Sequence, residues 1–166
     1  MFIAVLTFIY AFCMNVNAAS SATMSWSGTG SVTPGQTFTM DIVASASTGG
    51  GALMSAGGVI TSSDTSCISF VSVTKVASGT TNGNKFAYSD MDGSTSGFTI
   101  ARATFKAGSS ACSTNINITQ PKLAFTDSTK LTPSTISKKI TVVSSTPEPS
   151  KSSVKTLKSL VPSKGS

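Results

Sequence analysis

From position 37 the chain alternates, Thr-Phe-Thr-Met-Asp-Ile, and places Phe38, Met40 and Ile42 on one side of an extended segment. A period of two marks a half-buried strand, and Pro34-Gly35 just upstream supplies its turn. Ile68, Phe70 and Val71-Ser72-Val73 make the next apolar run. Before it, Gly57-Gly58-Val59-Ile60-Thr61 predicts a strand whose glycines permit a bulge or a close backbone approach. Phe86 and Tyr88 share one face of a short strand, which the turn signal Asp92-Gly93 is expected to end as a hairpin before the chain resumes at Phe98.

The segment FTIARATF at 98–105 carries two phases, because Phe98 and Ile100 lie on one face and Ala103 and Phe105 on the other. A bulge, or burial on both faces, reconciles them. Ile116 with Ile118, Leu123 with Phe125, and Ile140 with Val142 complete the series, and no stretch carries a helical period. Short strands at this spacing predict an all-β fold, an Ig-like two-sheet β-sandwich. A body of about 120 residues buries roughly two-thirds of its extended-chain surface, enough for a core without a metal.

Composition changes the picture in two ways. Ser and Thr supply 55 of the 166 residues while charged residues make up only 11%, which is the profile of an extracellular, strand-rich protein. Histidine is absent and Glu148 is the sole glutamate, so Ser-His-Asp triads, imidazole zinc sites and histidine acid-base chemistry are excluded. The net charge of +6 is no nucleic-acid signature. Half of it sits in the tail, on Lys151, Lys155, Lys158 and Lys164 beside Glu148, and no basic run is interleaved with aromatics elsewhere.

Residues 2–16, FIAVLTFIYAFCMNV, form an apolar stretch too short to span a bilayer comfortably, and it ends in the small-residue pattern Val16-Asn17-Ala18. A signal peptide over 1–18 is expected, although no Lys or Arg precedes its apolar core. An uncleaved membrane anchor is the other reading. Cleavage after Ala18 removes Cys13, places the product in an oxidising compartment as a secreted or cell-surface chain with no membrane span, and leaves Cys67 and Cys112 to form a disulfide.

Three segments in order, GSVTPGQTFTMDIVASAS (30–47), SDTSCISFVSVTKVASG (63–79) and FTIARATFKAG (98–108), resemble the cohesin domain, a secreted jelly-roll sandwich. The first resembles that family's opening strands, the second the turn that leads into a Phe-Val-Ser-Val strand, and the third a late strand carrying ATFKA. Ser63-Asp64 stands where an aromatic-Asp pair is common, and the cysteine pair is not part of the family pattern. The resemblance covers about residues 23–144 and implies a cohesin-like sandwich over 19–144. It also implies a non-catalytic module that grips a dockerin-type partner whose own helices carry calcium, with no cofactor in this chain.

Past that body, residues 145–156 are Ser-, Pro- and Lys-rich and are expected to form a linker. Residues 157–166, LKSLVPSKGS, resemble the opening of a cadherin-like β-sandwich repeat. A larger multidomain surface or secreted protein is the corresponding expectation.

Few candidate site residues compete with this. The loop Ser89-Asp90-Met91-Asp92-Gly93-Ser94 offers oxygens to calcium, yet it lacks the bidentate acid that closes an EF-hand loop, so Asp90 and Asp92 are weak metal candidates. As an acid-base pair for glycoside hydrolysis the two would stand about 7 Å apart, but nothing around them supplies the burial that raises a carboxyl pKa. A polysaccharide-binding module is the main alternative to docking and needs exposed planar aromatics, for which Trp26, Tyr88 and any exposed phenylalanine are the candidates, although Trp26 in its early strand is expected to serve core or edge packing. Arg102, inside an apolar strand, is either a snorkelling side chain or an anchor on a binding face. Asn117-Ile118-Thr119 fits the glycosylation sequon. A spacer domain with no ligand of its own is the third function class.

Overall fold

The alternating segments pair into two sheets that face each other across one core. A computed structural model describes residues 18–144. The leader up to Asn17, the linker at 145–156 and the repeat start at 157–166 lie outside the described residues. In chain order the strands are β1 (Met24–Ser27), β2 (Ser31–Val32), β3 (Thr37–Ala44), β4 (Leu53–Ser62), β5 (Ile68–Lys75), β6 (Gly79–Asn82), β7 (Lys85–Ser94), β8 (Phe98–Ala107), β9 (Cys112–Phe125), β10 (Lys130–Leu131) and β11 (Ile136–Val142). One sheet has four strands in the order β1-β3-β8-β5. The other has seven, ordered β2-β11-β9-β4-β7-β6, with β10 paired to β9. Apart from the parallel pair of β2 and β11, the ladders are antiparallel. The fold is all-β, as the alternation predicts.

Phe105 fills the middle of the core. It is fully buried on β8, with Phe38 opposite it on β3 and Phe70 on β5. Its ring centroid lies 5.7 Å from that of Phe38 in a stacked arrangement, and 5.9 and 6.0 Å from those of Trp26 and Phe70, both edge-on. Offset and edge-to-face pairs at these distances add to the burial term, so one ring ties four strands together.

Two bulges explain segments whose apolar phase changes. On β8, Ile42 pairs with Ala101 but Val43 with Thr99, so Ile100 is the extra residue, and both Ile100 and Ala101 are buried. The bulge, rather than burial along both faces of the strand, resolves the double phase of 98–105. On β9, Gly57 pairs with Lys122 and Val59 with Thr119, so Gln120 and Pro121 stand opposite Gly58 alone. Gln120 takes a φ of 52° to make that step. A Cβ at Gly58 would lie 2.5 Å from Ile118 Cγ2, which is why glycine stands there.

The Asp92-Gly93 hairpin is corrected. Ser55 pairs with Ser89 and Leu53 with Ser94, so the residues between swing out of β7 opposite Met54, and Gly93, at a φ of 69°, brings the strand back into register. A left-handed glycine serves a wide bulge as well as a two-residue turn, and the local sequence does not distinguish them. β7 then crosses to the other sheet, where β8 begins.

Cys67 and Cys112 form the expected disulfide, with Cα atoms 5.9 Å apart. It links the approach to β5 in one sheet with the first residue of β9 in the other. Asp64 sets Cys67 in place. Its Oδ1 accepts hydrogen bonds from the Ser66 amide at 2.9 Å, the Ser66 hydroxyl at 2.6 Å and the Cys67 amide at 3.3 Å.

Two stability outcomes follow from this packing. Phe105→Ala is expected to cost about 3–5 kcal/mol in urea unfolding, near the upper end because the site is closed on all sides. Closing a loop with a sequence separation of 45 restricts the unfolded chain, so Cys67→Ala with Cys112→Ala is expected to cost up to about 4 kcal/mol, read as a lower denaturant midpoint.

Candidate functional site

The outward positions of the four-stranded sheet form one open surface of the sandwich. Strand alternation sends Phe38, Met40, Ile42, Ala103 and Phe105 inward and leaves polar residues outside in register, mostly Ser and Thr with Asp41, Arg102 and Lys106 among them. One row reads Ser27, Asp41, Arg102, Thr74 across β1, β3, β8 and β5. The next reads Thr39, Thr104, Ser72, and the third Thr37, Lys106, Ser69. Thr suits a pleated surface because its branched side chain packs against cross-strand neighbours.

Near the middle stands an ion pair. Arg102 Nε donates to Asp41 Oδ1 at 2.6 Å and Nη2 donates to Oδ2 at 3.1 Å, a two-point fork. The Arg102 side chain remains 52% exposed and that of Asp41 29% exposed. The hydrogen bond from Arg102 holds the Asp41 carboxyl below the usual carboxylate range, against an upward push from burial. Arg102 therefore neither snorkels nor stands free; it is held in one orientation on the face. Asp41 was not singled out from sequence, because the pair is joined by cross-strand register across 61 positions.

The other candidates separate. Trp26 and Tyr88 are buried, Trp26 against Phe105 and Tyr88 against Phe98 at 4.7 Å. Burial, and then the Asp90 charge, push the Tyr88 phenol up. Among the described residues every aromatic is buried or half-buried. Asp90 and Asp92 lie in the β7 bulge, where the Asp92 amide donates to Asp90 Oδ1 at 3.1 Å, a local turn contact. Among the described residues no three Cys, Asp or Glu side chains are grouped to hold a metal. Asn117 spends both ends of its amide, donating to Ser63 Oγ and accepting from Ser137 Oγ.

A second fixed carboxylate went unnoticed in the sequence. The buried Ser20 hydroxyl donates to Asp127 Oδ2 at 2.7 Å and accepts from the Gly51 amide, tying the start of the described chain to the turn after β9. That bond and the Thr129 amide lower the Asp127 pKa, as hydrogen bonds from Ser66 and Cys67 lower that of Asp64.

No protein-family model and no curated protein sequence matches the chain significantly. Solved structures do. A non-cellulosomal cohesin from Archaeoglobus fulgidus superposes with a TM-score of 0.57 at 12% identity, covering 74% of this chain and 91% of that one. The cohesin module of a family 33 glycoside hydrolase from Clostridium perfringens gives 0.59 at 11% identity, covering 76% and 98%. A chain from a type I cohesin-dockerin complex of Clostridium thermocellum gives 0.55 at 11% identity, covering 74% and 99%. The sandwich thus has the cohesin fold, as the resemblance of its segments implies.

Carboxylates held below their usual range stabilise the fold as anions. For Asp41, Asp64 and Asp127 that contribution is complete above the unfolded value and is lost as pH falls through each folded value. The urea midpoint is therefore expected to decline below about pH 4. Asp64→Asn with Asp127→Asn should lower it at neutral pH and flatten the acid decline.

Proposed function

We propose that this cohesin-fold domain is a non-catalytic attachment module that docks a dockerin-type protein on the outer face of β1, β3, β8 and β5. The fold carries the reading: the solved modules it superposes on include those of cohesin-dockerin complexes. The face supports it. Ser and Thr side chains have few rotamers to lose, and the Asp41-Arg102 fork is already ordered, so docking there costs little side-chain entropy. Strands β3, β8 and β5, about 4.8 Å apart and at least eight residues long at about 3.3 Å each, with the four-residue β1 beside them, give a platform of roughly 450 Å². A standard interface uses about 800 Å² per partner, so the partner also touches flanking loops.

Calcium in this scheme belongs to the partner. Polysaccharide binding by ring stacking is disfavoured because the described aromatics pack into the core. Export through the leader over 1–18 suits a chain with a disulfide across its two sheets. The linker and cadherin-like segment suit a larger surface or secreted protein.

The test is calorimetric titration of the purified protein with a panel of dockerin modules, with calcium and with chelator. Thr104→Arg, which plants a long cation in the central row, is expected to weaken binding at least about tenfold while the melting temperature holds. Binding indifferent to Thr104→Arg moves the site elsewhere, and binding to no dockerin leaves the spacer reading.

A further inference from the structure

The opposite surface differs in charge and shape. On the outer face of the seven-stranded sheet, Gly57 of β4 lies beside Ala87 of β7, and these small residues leave a dip. A cavity of about 400 Å³ occupies it, with Gln120 and Lys122 of β9 on one side and Lys85 of β7 with Thr80 and Asn82 of β6 on the other. A second cavity of about 260 Å³ continues past Lys122 to Lys130 on β10, sharing Ser55 and Lys122 with the first. Together they form a track lined by three lysines. No Asp or Glu lines either cavity. Strands β2, β4, β6, β9, β10 and β11 contain none, and the acids of β7 sit in its bulge. Among the described residues the only ion pair is Asp41-Arg102, on the other sheet, so these lysines have no carboxylate partner there.

We propose that this track binds a carboxylated polysaccharide. Charge selects the occupant first. The chain's own segment 145–166 carries four lysines against Glu148, and a second copy meeting the track with its own would bring the same lysines, so both are repelled. An extended polyanion matches cations spread along a line: Lys122 pairs with Gly57 and Lys85 with Val59 on the intervening β4, which puts the two lysines about 12 Å apart on a diagonal across the sheet. The lining then favours a glycan over an acidic protein. The exposed large apolar side chains, Val71, Val76, Met91 and Val143, all lie outside the track, and the large apolar residues that line it, Val59, Phe86, Leu123 and Leu131, are buried or half-buried, so no protruding hydrophobic side chain anchors a protein there. The floor strand β4 is already paired on both sides, so its backbone offers no ladder to an incoming peptide strand. The side chains of Thr80, Asn82 and Gln120 instead offer hydroxyl and amide groups, which suit sugar hydroxyls. Recognition through carboxylates needs no ring-stacking platform, so the burial of the aromatics does not weigh against it.

The experiment is affinity electrophoresis and calorimetry of the purified protein with polygalacturonate, its methyl-esterified form and poly-L-glutamate, at about 50 mM salt and again at about 300 mM. Expected is binding to polygalacturonate that weakens with salt, falls on esterification and exceeds that for poly-L-glutamate. Lys85→Gln with Lys122→Gln should weaken it at least about tenfold, since each charged hydrogen bond lost counts separately. Lys75→Gln with Lys106→Gln removes the same charge from the other sheet and should change it less than about twofold. Equal losses in the two double variants would reduce the effect to bulk charge and overturn the proposal, as would no binding, indifference to esterification or tighter binding of poly-L-glutamate. Thr104→Arg should leave glycan binding intact, so failure of the docking proposal and failure of this one read out separately.

Discussion

The packing of Phe105 against Trp26, Phe38 and Phe70 is the contact on which the four-stranded sheet depends. Each of these rings comes from a different strand, so the sheet is braced from inside by side chains as well as by its ladders. The outer face inherits that bracing. Its rows of Ser and Thr contribute little burial of their own, and large rings fill the space beneath them. A face filled in from below can carry short side chains such as Ser and Thr, which keeps the side-chain entropy lost on any contact small.

The other sheet meets a different demand. Its longest strand, β9, pairs with β4 along most of its length, and the inward phase of β9 shifts between Ile118 and Pro121. Gly58 and the positive φ of Gln120 absorb that shift. The same irregularity that lets both halves of β9 face the core also turns Gln120 outward beside the lysine track. Core packing and surface shape are coupled at one bulge, so an alteration made for either reaches the other.

Much of this was legible in the chain. The alternations at Phe38-Met40-Ile42, Phe86-Tyr88 and Ile116-Ile118 each predict an inward face, and each is buried. The cysteine pair and the cohesin-like segments pointed to the covalent link and the fold. What escaped was non-local. The Asp41-Arg102 fork and the Ser20-Asp127 bond join positions 61 and 107 residues apart, and nothing near either residue announces its partner. Gly93 was misread for a related reason: its turn chemistry is local, but whether the chain reverses there depends on which sheet the next strand joins. Lys85, Lys122 and Lys130 look scattered along the chain and gather only through the strand order.

The covalent bridge has a further consequence when the ends of the chain are pulled. A force entering at one end and leaving at the other passes from Cys67 directly to Cys112, and strands β5 to β8 lie on the bypassed loop. With a sequence separation of 45 closed off, the fully drawn chain is shorter by about 150 Å. Two of the four strands under the Ser/Thr face, β5 and β8, belong to that sheltered loop. Tension is borne by the remainder of the backbone, so the domain combines limited stretch with a load path that skirts half of the surface a partner would hold.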